Sequence, residues 1–90
     1  MNRNLMRQAQ ELQARLVKAQ EELASMTVEA SAGGGVVKVV MTGQQKIESV
    51  TIDKAVLESG DREMLEDLML AVFNDALEKS HELASSHMSK

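Results

Sequence analysis

The first quarter of the chain carries apolar residues at alternating intervals of four and three positions. This heptad seam consists of Leu5, Ala9, Leu12, Leu16, Ala19, Leu23 and Met26. Such spacing is typical of a helix that packs against another helix. Good helix formers fill the positions between, and no Pro or Gly interrupts them. The sequence therefore predicts a helix from Asn4 to Met26, about 35 Å long at 1.5 Å per residue, which should project beyond so small a core.

After Met26 the pattern changes to the short period of β-structure. Residues 27–32 alternate polar and apolar side chains, which predicts a strand with one buried face. Residues 36–42 are nearly continuous in β-branched residues, which predicts a second strand covered on both faces. Residues 46–52 predict a third strand, with Val50 and Ile52 on one face and Ile47 on the other. The glycines at 33–35 and the segment 42–45 predict the turns of an antiparallel meander.

The remaining residues return to helical periodicity. Asp53 can cap a short helix that stops at Gly60, and Asp61 can cap a long final helix. The final helix carries a stripe wide enough to lie across the sheet, made of Leu65, Leu68, Met69, Val72, Phe73, Ala76, Leu77 and Leu83. We expect it to fray into a mobile tail over residues 85–90. The predicted fold class is α+β, in the order α-β-β-β-α-α, as one domain over residues 1–90.

The apolar content of the chain is small for an independent core. It has 90 residues, a single Phe and no Trp or Tyr, so seven methionines and the aliphatic residues must fill the interior. A chain of this size buries only about 60% of its unfolded surface. We therefore expect a second copy to complete the core. The second strand would present Val37, Val39 and Met41 to the helices and help to join the two subunits.

The chain lacks several residue types and segments, and their absence limits which kind of protein we expect. The chain contains no Cys, which excludes disulfides and thiol chemistry and fits a reducing cytoplasm. No apolar run approaches the roughly 20 residues of a membrane span, so we expect a soluble intracellular protein without a membrane partner. No Ser-His-Asp or Cys-His arrangement is suggested. The sequence predicts no enzyme, no cofactor and no small-molecule substrate.

Two further features could suggest a metal site or a nucleotide-binding loop, but their spacing favours neither. His81 and His87 are six residues apart and therefore do not share a helical face, so surface histidines are a better interpretation than metal ligands. The glycines at 33–35 precede a strand, whereas nucleotide-binding glycines precede a helix N-terminus. A structural turn is the better interpretation of the glycines.

Charge is distributed unevenly along the chain, whose formal net charge is −4. At 100° per residue, the basic residues of the first helix fall within about a third of its circumference, opposite the heptad seam. This cationic stripe consists of Arg3, Arg7, Arg15 and Lys18. It could follow a phosphate backbone. Alternatively it is an ordinary solvated face, because Glu11, Glu21 and Glu22 share it at spacings that allow pairing.

Four segments in order along the chain carry a family resemblance: Asn4–Gln13, Gly35–Val39, Val50–Asp53 and Glu63–Ala76. Together they resemble the YbaB/EbfC family of bacterial nucleoid-associated proteins. The resemblance implies a cytoplasmic, nucleoid-located homodimer, joined through its sheets, whose projecting helical arms engage duplex DNA and affect chromosome organisation or gene expression. Family members often have a Pro where this chain has Lys54. They often have a Gly- and Pro-rich C-terminal tail as well, whose function is not carried over to this chain.

The resemblance also bears on single residues. Arg7, Arg15 and Lys18 fall where the first helix of the family carries basic residues, which implies DNA contacts, and the helical wheel adds Arg3. A different class of function stays open from the residues alone: a protein-interaction module in which the heptad seam and methionine-rich surface dock a partner. A weaker alternative is a metal-binding regulator that acts through His81.

Overall fold

A computed structural model describes residues 2–89 and confirms the predicted α+β fold. Helix α1 (Arg3–Glu22) is followed by a 3-10 turn, three strands and two helices. Their bounds are Leu23–Ser25 for the turn, Thr27–Ala32 for β1, Val37–Thr42 for β2, Ile47–Ile52 for β3, Lys54–Glu58 for α2 and Arg62–Met88 for α3. The strands form one antiparallel sheet in the order β1-β2-β3.

Local chemistry sets the predicted turns and helix starts. The three glycines between β1 and β2 have φ values of 63°, 75° and 98°, a left-handed conformation that glycine adopts without steric cost. The Asp53 side chain accepts a hydrogen bond from the Ala55 amide at 2.8 Å. The Asp61 side chain accepts one from the Met64 amide at 3.0 Å. Both predicted helix caps are therefore confirmed.

The core lies between one face of the sheet and α3. Its fully buried members are Ala30 of β1, Val37, Val39 and Met41 of β2, and Val72 and Ala76 of α3. The three β2 side chains are only 0%, 0% and 2% exposed in a single chain, so they have no surface left for a second subunit. Residues other than the predicted Val37, Val39 and Met41 must form any dimer interface.

Strands β2 and β3 differ from the sequence prediction in how they are covered. Helix α3 packs on β1 and β2 and leaves β3 uncovered. On the opposite face of β2, Lys38 is exposed, so the prediction that β2 is covered on both faces is wrong. A bulge between Val40 and Met41 shifts the register so that Met41 pairs with Ile47. This shift places Ile47 on the same face as Val50 and Ile52, contrary to the prediction, because cross-strand partners share a face.

Both long helices end elsewhere than predicted. Helix α1 stops at Glu22, so Met26 lies outside it, and its 20 residues extend about 30 Å. Helix α3 continues through Met88, so the predicted fraying from residue 85 is wrong, and Lys90 lies outside the described residues. The final turns of α3 stay helical because they pack against α1. The resulting molecule is elongated, with extents of 68 × 17 × 16 Å.

The base of α1 is anchored to the turn that follows β2. Leu23 is buried, and its carbonyl accepts a hydrogen bond from the Gly43 amide at 3.1 Å. The buried Ser80 hydroxyl of α3 donates to the Thr42 carbonyl at 2.8 Å. One turn therefore connects both long helices to the sheet. Over residues 2–89, no helix is long and apolar enough to cross a membrane.

Candidate nucleic-acid interface

Helix α1 is a solvated arm along its whole length. None of its residues is buried, although Leu23 immediately after it is. Arg3, Arg7 and Lys18 span about 22 Å along the axis at 1.5 Å per residue. One DNA strand places a phosphate about every 3.4 Å along its axis, so this length matches about six phosphates. The cationic stripe therefore has the dimensions to contact a phosphate backbone.

Most cations of the stripe are free to take a phosphate partner. Arg7 Nε lies 4.0 Å from Glu11 Oε1, and both side chains are largely exposed. An exposed pair of this kind is worth less than about 1 kcal/mol, so a phosphate could displace the glutamate. Within residues 2–89, no carboxylate lies within ion-pair distance of Arg3, Arg15 or Lys18.

Arg15 occupies a different setting from the other three cations. It lines a small cavity of about 100 Å³ at the junction with α3, together with Leu12, Leu16, Ala19, His87 and Met88. At the same junction, His87 Nε2 lies 3.3 Å from Glu22 Oε1. The contact gives Glu22, one of the acidic residues on the cationic stripe, a partner within the chain. Arg15 therefore lies where α1 meets α3. The other three basic residues, Arg3, Arg7 and Lys18, lie along the open side of α1.

The two histidines are held apart by separate partners. His81 Nδ1 lies 3.0 Å from Gln45 Nε2 in the turn between β2 and β3, while His87 contacts Glu22. In the described part of the chain, no three His, Cys, Asp or Glu side chains converge as a metal site would require. Residues 2–89 therefore offer no ligand set for the alternative of a metal-binding regulator.

Comparisons with known proteins identify the family of the chain. The model of the YbaB/EbfC DNA-binding family matches residues 1–90. The chain belongs to the YbaB/EbfC DNA-binding family. A nucleoid-associated protein of Syntrophobacter fumaroxidans is 51% identical over 97% of this chain and 79% of its own length. A nucleoid-associated protein of Ruminiclostridium cellulolyticum is 48% identical over 97% of this chain and 76% of its own length.

A solved structure supports the fold of this YbaB/EbfC member independently. The crystal structure of an uncharacterized protein from Helicobacter pylori superposes with a TM-score of 0.82, covering 96% of this chain and 91% of that one. Its sequence is 21% identical, so the likeness concerns the fold alone.

The structure also shows an apolar surface that sequence reasoning did not identify. On α3, Lys79 Nζ donates to the Glu29 carbonyl of β1 at 3.1 Å, whereas His81 contacts the β2–β3 turn. The flank of α3 that carries His81 therefore faces β3. That flank and the inner side of β3 together form the uncovered face, made of Ile47, Val50, Leu70, Phe73 and Leu77. Ile47 and Val50 are each 45% exposed and Leu70 is 64% exposed, so one chain leaves this face open.

The signal for this face was weak in the sequence. The apolar residues of β3 and the width of the α3 stripe were visible. Which strands α3 covers depends on the packing of the whole sheet, and the bulge that turns Ile47 inward has no local signature such as a glycine.

Proposed function

We propose that this YbaB/EbfC protein binds duplex DNA as a homodimer in the cytoplasmic nucleoid and affects chromosome organisation or gene expression. The observation that carries the proposal is an exposed helical arm with basic residues along about 22 Å of its length. Membership of a DNA-binding family supports it. The contacting residues are Arg3, Arg7, Arg15 and Lys18.

The proposed mechanism is electrostatic. Lysine and arginine side chains that neutralise phosphates release condensed counterions, which supplies affinity that does not depend on base sequence. Phosphate contacts position a protein on the duplex without reading its sequence. Basic residues on the exposed side of one helix therefore suit binding to DNA of many sequences.

The proposed dimer uses the uncovered face. Its apolar side chains lie on an edge strand and on the flank of α3, beside a core that is already closed in each chain. A second copy would bury these side chains and also cover the exposed edge of β3. The dimer would carry two arms with four basic side chains each, which is enough to neutralise about six phosphates together.

The proposal is tested by removing the same number of charges from two places. One variant carries Arg7→Ala, Arg15→Ala and Lys18→Ala on the arm, and the matched control carries Lys38→Ala, Lys54→Ala and Arg62→Ala elsewhere. All three control side chains are exposed. Fluorescence anisotropy on a short duplex at low salt should show binding at least about tenfold weaker for the arm variant, because three phosphate contacts per chain are lost.

The control variant should bind within about twofold of the unmodified protein, since the phosphate contacts of the arm are intact. Circular dichroism checks that both variants keep their helices. Equal losses in the two variants would mean that only net charge matters, and the assignment of DNA contacts to α1 would be wrong.

A further inference from the structure

Besides the uncovered face, a second exposed apolar surface runs along α1. This α1 groove has a volume of about 520 Å³ and is lined by Ala9, Leu12, Gln13, Leu16, Val17, Gln20, Glu21 and Met88. Leu12 and Val17 are each 50% exposed, and Leu16 is 41% exposed. A groove of apolar residues along one side of a helix, with neutral glutamines among them, is suited to receive another helix.

Helix α3 of the same chain does not fill the groove. Its last turns meet α1 on the other flank, where His87 shares a cavity with Arg15 and Ala19. Among the described residues of α3, only Met88 reaches across, and it forms one wall of the groove. The side of α1 that carries Gln13 and Val17 therefore stays open beside the α1–α3 contact.

The charges at the two ends of this helix are complementary to those of a reversed copy. Arg3 and Glu21 are 18 residues apart, which is five full turns, so they lie along the same edge of α1. Residues 1–10 contain two basic and no acidic residues, whereas Glu21 and Glu22 end the helix. In an antiparallel arrangement, Arg3 of each copy would lie within one turn of Glu21 of the other.

The side-chain sizes fit the same arrangement. When two copies of α1 are placed antiparallel about Gln13, the small Ala9 of one lies opposite the larger Val17 of the other. Gln13 then meets its own counterpart, where two amide groups can exchange hydrogen bonds. A parallel arrangement would bring the two basic ends together at one end of the pair and the two acidic ends together at the other, which is unfavourable because like charges repel.

We propose that the α1 groove is a self-association surface, occupied by α1 of a second copy in antiparallel orientation with Gln13 at its centre. This surface is separate from the uncovered face, and the inference does not depend on DNA binding. In the pairing Arg3 meets a glutamate, so a paired arm would contact phosphates through Arg7, Arg15 and Lys18, and an unpaired arm through Arg3 as well. A contact along one helix buries less than the roughly 1,200 Å² of a standard interface, so the association is weak and depends on concentration.

Single cysteines test the geometry directly, because the natural chain has none. The Gln13→Cys variant should form disulfide-linked pairs of chains under mild oxidation. The matched Gln8→Cys variant, about 140° around the same exposed helix from Gln13, should form at least about tenfold fewer, since a disulfide requires Cβ atoms about 4 Å apart. Equal yields from both variants would overturn the proposal, because random collision would explain them.

A second measurement examines the unlinked protein. Sedimentation velocity over a range of concentrations should show a larger species that the Val17→Glu variant loses. The control Gln8→Glu places the same charge on the opposite side of α1, about two and a half turns from Val17, and should keep that species. Persistence of the larger species in Val17→Glu, with helicity unchanged, would show that the groove is not the contact.

Discussion

At the scale of single residues, Gly43 is the critical position of the joint between arm and sheet. Its amide donates to the carbonyls of Leu23 and Met26, at 3.1 and 2.9 Å. A Cβ at this position would lie 2.7 Å from Leu23 Cδ2 and 3.0 Å from the Leu23 carbonyl oxygen. The requirement for glycine here is therefore steric and arises from the close approach of two backbone segments.

Substitution of this glycine should weaken the whole fold. We expect Gly43→Ala to lower the free energy of unfolding by about 1–3 kcal/mol, because the added methyl group forces the Leu23 backbone or the turn to move. Urea unfolding followed by circular dichroism measures the change. The exposed neighbour Lys46 provides a control, whose replacement by Ala should change stability by less than about 0.5 kcal/mol. An unchanged midpoint for Gly43→Ala would contradict the close packing described here.

Residue-scale features were predictable from the sequence where their cause is local. The caps at Asp53 and Asp61 follow from the side chain and its position before a helix, and the glycine turn follows from its composition. The role of Gly43 was not predictable in the same way. Its neighbour Leu23 is 20 residues away in sequence, and only the folded chain brings the two together.

At the scale of elements, the uneven coverage of the sheet is the feature with most consequence. Helix α3 covers β1 and β2, and the bulge opposite Met41 turns Ile47 toward the same side as Val50. The result is an edge strand whose inner side is apolar and open. This is the element-level reason for placing the proposed dimer contact at β3 and the flank of α3.

A charge on the inner side of β3 should separate the proposed dimer. We expect Val50→Lys to shift the mass in solution from dimer to monomer, because the ammonium group would be buried in an apolar contact. The chain itself should stay folded, since Val50 is about half exposed in it. Sedimentation equilibrium gives the mass, and Ser49→Lys on the outer side of β3 is the control. A Val50→Lys variant that remains dimeric would exclude this face.

Element boundaries were predicted well where periodicity alone determines them and poorly where two elements support each other. The strands and α2 lie close to their predicted positions. The end of α3 was wrongly predicted to fray because its last turn is polar in sequence. His87 and Met88 are instead held by contacts with α1.

At the scale of the whole molecule, the elongated shape separates the basic residues from the acidic ones. The long dimension of 68 Å comes from placing α1 beyond the sheet, with its basic residues away from the acidic remainder of the chain. The positions of the charged residues along the sequence predicted that separation of charge, and the helical periodicity predicted the projecting helix. Neither could show which apolar residues one chain buries: Val37, Val39 and Met41 look equivalent to Val50 in sequence but are closed off by α3.

The salt dependence of DNA binding tests the central claim most directly. Anisotropy titrations of the natural protein on a short duplex, at several salt concentrations, give the slope of log affinity against log salt. A dimer that neutralises about six phosphates through its two arms should show a slope of about −5. Absence of binding at low salt, or a slope shallower than about −1, would contradict binding of the phosphate backbone by the arms.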